Sequence, residues 1–248
     1  MQEIPAFMTS SGADAVDILA FGPHPDDLEI GIGGTLAKHA THGDGVGLCD
    51  LTAGEMGSNG TVEERLAEAE AARAVLGARW RVNLRLPDRG IGSDLSHVRV
   101  AAELVRQARP RVVAVPYWSD RHPDHVAASQ LLVEAVFNAG LRRYPAAGEP
   151  CKPAAICFYF INEAGQPSFV VDVSDQYETK RRALACHSSQ FRPTAADAVA
   201  TRLTSERFRQ LVESRDAQYG AQVGVAFAEA FVVRSPLVLQ GLPGIDRV

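Results

Sequence analysis

Two short stretches carry residue types in a pattern suited to metal chemistry. GPHPDDLE occupies residues 22–29 and SDRHPDH occupies 119–125. Both contain the tripeptide His-Pro-Asp. His24 and Asp27 are three positions apart, as are His122 and His125. Imidazole and carboxylate suit Zn2+, and a catalytic zinc keeps three protein ligands and a position for water. Two histidines and one carboxylate meet that requirement. One carboxylate and one imidazole then remain for acid–base work. That division suits hydrolysis: the metal lowers the pKa of water, a carboxylate takes the proton, and an imidazolium steadies the developing oxyanion. The same residues also have a plainer reading. Pro25 and Pro123 suit the first turn of a helix, and Asp26, Asp27 and Asp124 would be favourable beside the positive end of its dipole. That explains one copy well, and two copies with an added His125 poorly.

The elements around these motifs decide whether they meet. Residues 16–21 read as a buried strand, 29–42 as a helix stopped by Gly43, and 45–51 as a second strand. The polar loop TAGEMGSNGT follows. Thr61 and Glu64 form a capping-box pattern for a helix that runs to Gly77. A strand at 81–86, a helix at 96–108, a strand at 111–116 and a helix at 123–139 complete four strand–helix repeats. Such a repeat predicts an α/β, Rossmann-like fold, with a mostly parallel sheet and helices on both faces. The C-terminal third reads as a modified continuation. It has strands at 155–161, 168–173 and 226–233, helices at 176–187 and 204–218, and loops at 143–153 and 190–203. Both His-Pro-Asp motifs fall at the carboxyl ends of predicted parallel strands, where open α/β sheets bind their ligands. The expected organisation is one domain over 1–248, with 1–15 as a flexible extension.

Composition narrows the function. The chain has 248 residues, is 46% hydrophobic and 22% charged, and has a net charge of −5. That is a globular composition, and the acidity argues against a nucleic-acid partner. Cys49, Cys151, Cys157 and Cys186 form no CxxC pair and read as reduced, mostly buried thiols. No signal peptide and no apolar run of membrane-spanning length is evident, so no membrane partner is expected and the cytosol is the expected location. Three further patterns carry less. His39 and His42 repeat the HxxH spacing at the far end of the first helix, where the dipole accounts for them. GIGGT at 31–35 lacks the last glycine of GxGxxG and falls inside a helix, which favours close helix–sheet packing over phosphate binding. GxSxG and GxxxxGK[ST] are absent.

PHPDD followed by HPDH resembles the zinc-dependent N-acetylglucosaminyl deacetylases, the LmbE-like or PIG-L-like family. The resemblance spans about residues 16–240 and is nearest the bacterial branch that deacetylates N-acetylglucosaminyl-malate in bacillithiol biosynthesis. AFGPHPDDLEIGIGGT, CDLTAGEMGSNGT, LPDRG, DRHPDH, SSQF and YGAQVGVAFAEAF carry it. It implies one Zn2+ per chain, or another divalent metal, held by His24, Asp27 and His125. It implies Asp26 as the general base that activates the metal-bound water, and His122 as oxyanion stabiliser and proton donor to the leaving amine. Asp124 would orient a histidine. Arg65 and Arg121 would contact the substrate, Glu55, Ser58 and Asn59 would edge the sugar site, and Asp88 matches less well. Malate carries two carboxylates, and the planar guanidinium fork suits them. Arg65 has an ordinary alternative, a helix ion pair with Glu68. His187 reads equally as a pocket or subunit contact and as a structural histidine. The resemblance also implies a homo-oligomer, with a hexamer the expected form, and a small-molecule sugar conjugate as partner. Deacetylation of another N-acetylated sugar (a chitooligosaccharide or an inositol conjugate), a two-metal phosphoesterase using Asp50, Asp88 and Asp120, and a non-catalytic sugar- or nucleotide-binding module are the competing readings.

Overall fold

The computed structural model describes residues 14–196 and 198–238. The expected N-terminal extension therefore lies outside the described residues, save for its last two. The element order is β1 (Ile18–Gly22), α1 (Asp27–Thr41), β2 (Val46–Thr52), α2 (Val62–Leu76), β3 (Trp80–Leu86), α3 (Leu95–Ala108), β4 (Val112–Pro116), α4 (Pro123–Ala139), β5 (Ala155–Tyr159), β6 (Phe169–Asp172), α5 (Tyr177–Cys186), α6 (Ser188–Phe191), α7 (Glu206–Val223) and β7 (Ala228–Val232). One seven-stranded sheet has the order β3-β2-β1-β4-β5-β7-β6. β1 to β5 run parallel, and β7 pairs antiparallel with both β5 and β6. The expected α/β architecture is thus observed, and the modified C-terminal third is the antiparallel edge.

The central strands are buried on both faces, so their sequences are apolar runs rather than alternations. Leu19 and Phe21 of β1 pack with α3 and α4, while Ala20 packs with α1, α2, α5 and α7. Strand order reverses between β1 and β4, whose register aligns Ile18 with Val112 and Ala20 with Ala114. The loops leaving these two strands flank that reversal, and each carries one His-Pro-Asp motif.

Two helices depart from the sequence expectation. α1 starts at Asp27 rather than residue 29 and breaks at Ile32 (φ −142°, ψ 22°). A side chain intercepts each half of the interrupted helix bond. The Gly34 N–H donates to Glu229 at 2.9 Å, and the Ile30 carbonyl accepts from Arg215 at 2.7 Å. Thr35 N–H also donates to Glu229, at 2.6 Å. The glycines of GIGGT have the packing role expected of them. A Cβ on Gly31 would lie 2.4 Å from the Tyr159 ring, and one on Gly34 would lie 2.8 Å from Val173. α7 extends to Val223, five residues past the expected end, where Gly224 in a left-handed conformation closes it. α2 has the expected capping box, with Thr61 and Glu64 each bonding the other's backbone N–H.

The C-terminal third is tied to α1 by charge. Lys180 is wholly buried and donates to Asp216 at 2.7 Å and Glu229 at 2.6 Å. Removing one member of a buried ion network leaves the others desolvated and unpaired, at a cost of roughly 3–5 kcal/mol. Lys180→Met should therefore lower the urea midpoint by a corresponding amount, and an unchanged midpoint would show that the network contributes no stability.

Candidate metal centre

The site assembles where β1 and β4 end. His24 and Asp26 lie in the turn from β1 to α1, and Asp27 opens that helix. Asp26 has φ 121°, a strained value for a residue with a side chain. His122 caps α4, its Nδ1 accepting from the Asp124 N–H at 3.2 Å. That acceptance assigns the ring proton to Nε2, since a backbone N–H can only donate. Asp27 Oδ2 lies 3.0 Å from His24 Nδ1 and 3.3 Å from His125 Nε2. The His24 and His122 ring centroids are 4.9 Å apart, and those of His122 and His125 are 4.7 Å apart.

Each ring of the pair flanking Asp27 turns its other nitrogen to a carboxylate. His24 Nε2 is 3.3 Å from Asp124 and 3.4 Å from Asp88. His125 Nδ1 is 3.1 Å from Asp120. Asp120 also accepts from the His122 N–H at 2.8 Å and from the Asn162 side chain at 3.0 Å. This is how histidine ligands are oriented: one nitrogen proton goes to a carboxylate, which leaves the other nitrogen's lone pair for a cation. Metal-ligating atoms of His24, His122 and His125 lie within 4.8 Å of one another, as do those of His24, Asp88 and Asp124. His24 Nδ1, Asp27 Oδ2 and His125 Nε2 also converge, and imidazole nitrogen with carboxylate oxygen is a donor chemistry that suits a divalent cation. Burial disfavours charge on both rings, yet the surrounding carboxylates win. They hold His24 well above the ordinary imidazole range and bring His125 to about 9. The cluster is thus built to hold positive charge.

Asp26 is nearly inaccessible, and burial raises its carboxyl to about 6 against the opposing pull of Arg65. Its Oδ2 has no hydrogen-bond partner and lies 3.6 Å from Arg65. Burial lowers His122, and the neighbouring His24 adds to that effect.

The structure separates the remaining expected residues. Arg65 does not face an open pocket. Its side chain is 6% exposed, and it donates to the carbonyls of Gly54 at 2.8 Å and Pro25 at 3.0 Å. It clamps the loop after β2 to the loop after β1, and it does not pair with Glu68, which accepts from Ser188 and Ser189. A Cβ on Gly54 would lie 1.8 Å from this guanidinium, which is why a glycine stands there. Asn59 is also spent on structure: its amide brackets the backbone of Val199, at 2.9 Å and 2.8 Å. Glu55 accepts from the Asp88 N–H at 2.7 Å. Ser58 and Arg121 are exposed, and neither side chain has a partner among the described residues. His187 is buried with Nε2 3.3 Å from Glu29, so its setting is an internal one. His39 pairs with Asp44 at 2.8 Å at the far end of α1, as a helix-terminal histidine should. Asp50 is gripped through both oxygens by Arg81, at 2.7 Å each, and Asp88 and Asp120 face histidines. Those three carboxylates do not form a separate second metal site. Asp120, read from the sequence only as a possible second-metal ligand, faces His125 instead, and Asn162 and Arg89 are contributors that the sequence reading did not single out. Asp120 had a legible signal, a carboxylate two residues before His122 and able to cap its N–H.

The family model described as PIG-L, GlcNAc-PI de-N-acetylase, matches residues 19–136. The diacetylchitobiose deacetylase of Thermococcus kodakarensis is 34% identical over 193 residues, covering 72% of this chain and 71% of the relative. A 1D-myo-inositol 2-acetamido-2-deoxy-alpha-D-glucopyranoside deacetylase of Rhodococcus opacus is 27% identical, over 70% of this chain and 81% of that one. The crystal structure of the conserved protein TT1542 from Thermus thermophilus superposes with a TM-score of 0.83 at 39% identity, covering 94% of this chain and all of that one.

Loss of a partner that orients a ligand typically costs 10–100-fold in metal affinity. Asp120→Ala should weaken divalent-metal binding by about that factor in a chelator competition titration. Wild-type affinity in that variant would remove Asp120 from the centre.

Proposed function

The chain belongs to the PIG-L family of N-acetylglucosamine-type deacetylases, which are amide-bond hydrolases, and from that premise we propose that it deacetylates N-acetylglucosaminyl-malate in bacillithiol biosynthesis, with zinc as its metal. The observation that carries the chemistry is the convergence of His24 Nδ1, Asp27 Oδ2 and His125 Nε2 beside Asp26, whose buried Oδ2 accepts no hydrogen bond. Those three residues would hold the ion. When bound, it supplies Lewis acidity toward the acetamide carbonyl and lowers the pKa of water.

The chain's own groups do the rest. Asp26 takes the proton of the attacking water through Oδ2, which no hydrogen bond competes for. His122, with Nδ1 engaged by the helix backbone, keeps Nε2–H as a hydrogen-bond donor to the oxyanion, and the proton that Asp26 took from water is the one passed to the departing amine. Asp124 and Asp120 hold His24 and His125 in place. Glu55 and Ser58 border the sugar. Arg121 is exposed beside His122 with no carboxylate partner among the described residues, which favours an anionic conjugate over a neutral one. Among the described residues no helix is long and apolar enough to cross a membrane, which fits a small soluble conjugate better than a lipid-linked one. The resemblance supports the whole chain acting as one deacetylase domain in the cytosol, as a homo-oligomer and first of all as a hexamer.

Acetate release should be measured on N-acetylglucosaminyl-malate, the inositol conjugate and diacetylchitobiose, with metal content determined in parallel. The malate conjugate should give the highest kcat/KM at one zinc per chain. A clear preference for either other sugar would reassign the substrate, and no acetate from any of the three would overturn the reading. Asp26→Asn should lower kcat about 10²–10⁴-fold with the metal retained. Full activity in that variant would remove Asp26 as the base.

A further inference from the structure

Resting on the sugar-conjugate reading, we propose that Arg89, together with the exposed Arg121, is a specificity-determining residue for a carboxylate-bearing group attached to the sugar. Asp26, Asp27, Asp88, Asp120 and Asp124 gather around one centre whose histidines and metal offset them, so a carboxylate on the conjugate needs a cation of its own beside that centre. Arg65 cannot fill that role, because its guanidinium is buried and donates to Gly54 and Pro25. Arg89 has the opposite disposition. It lies in the loop from β3 to α3, on the side of the sheet where both motifs sit. Its backbone is left-handed, with φ 62°, a conformation uncommon for a residue with a side chain.

That backbone is locked by a two-point grip. The Arg89 N–H donates to Asp124 Oδ2 at 2.8 Å, and Nη1 donates to Asp124 Oδ1 at 2.8 Å. Asp124 Oδ2 is in turn 3.3 Å from His24 Nε2. The guanidinium therefore stands one carboxylate away from a metal-facing ring. One edge is fixed by Asp124, and the side chain is still 46% exposed. Its remaining N–H groups have no partner among the described residues. A planar fork held along one side and open along the other is pre-oriented for a second carboxylate, at little cost in side-chain freedom. The preceding residue works in the same loop: Asp88 reaches His24 at 3.4 Å. The turn at Arg89 thus brings one carboxylate to the ring and leaves a half-exposed cation beside the centre.

The test compares KM for N-acetylglucosaminyl-malate with KM for neutral diacetylchitobiose in Arg89→Gln, Arg89→Lys and wild type. Any disturbance of Asp124 acts on both substrates and cancels in the ratio. Loss of one charge-assisted pair should shift the KM ratio against the malate conjugate by roughly 10–100-fold in Arg89→Gln. Arg89→Lys should fall between that variant and wild type, because it keeps the charge and loses the fork. Equal losses on both substrates in both variants, or loss of the metal alone, would reduce Arg89 to a support for Asp124 and overturn the proposal. Failure of the wild type to release acetate from either sugar would instead overturn the reading it rests on.

Discussion

An imidazole has two nitrogens and an easily turned ring, so it becomes a dependable ligand only when one nitrogen is tied. That constraint organises this molecule. His24 is tied through Nε2 to Asp124, and His125 through Nδ1 to Asp120. Tied this way, the two rings present Nδ1 and Nε2 to a single oxygen of Asp27. The tie of His24 crosses from the β1 loop to the start of α4, so it holds only while β1 and β4 are neighbours. Sheet order and ligand geometry are one requirement here. The reversal of strand order is what brings two motifs distant in sequence to one crevice.

The antiparallel C-terminal edge serves the same centre from behind. α1 begins at Asp27, between the rings of His24 and His125, and breaks one turn later, at Ile32. A broken helix normally exposes a donor and an acceptor that must find partners. Glu229 of β7 takes the donors of Gly34 and Thr35, and Arg215 of α7 donates to the Ile30 carbonyl. Lys180 joins Glu229 to Asp216, so α5, α7 and β7 act as one buried brace against the back of α1. The first turn of α1, with Asp27 on it, is held from a part of the chain that contributes none of the metal-facing groups. This gives the modified third a physical purpose beyond extending the sheet.

Local sequence logic carried the parallel half of the fold, because strand, helix and cap signals there agree with one another. The helix at 62–76, its capping box and its terminal glycine follow from short-range rules that tertiary packing does not override. The pairing of β7 between β5 and β6 was not legible, since antiparallel pairing depends on partners far along the chain. The break in α1 was not legible either: its cause, Glu229, lies far downstream. Within the centre the two motifs were readable from spacing. Asp120 was readable as a carboxylate close to His122, but the ring it faces was not, and Asn162 carried no signal of its own. The roles of the metal-facing groups rest on their geometry together with the family's chemistry.

Arg65 and Arg89 show two opposite settings for a guanidinium near one centre. An acidic chain that handles an anion needs a local cation, and sequence offers many. A guanidinium buried against two carbonyls and walled by glycines is a structural clamp, however near the reacting atoms it lies. At 3.6 Å from Asp26, Arg65 still has an electrostatic effect, opposing the rise that burial imposes on that carboxyl. Recognition at a site mouth needs the reverse arrangement: a charge fixed well enough to be oriented and exposed enough to be reached. Asp124 creates that condition by gripping Arg89 from the inside, with the same carboxylate that orients His24. One buried aspartate thereby couples the geometry of the centre to the charge at its entrance. A change at Asp124 therefore acts on the His24 ring and on the Arg89 guanidinium together, whereas a change at Arg89 leaves the Asp124–His24 contact in place.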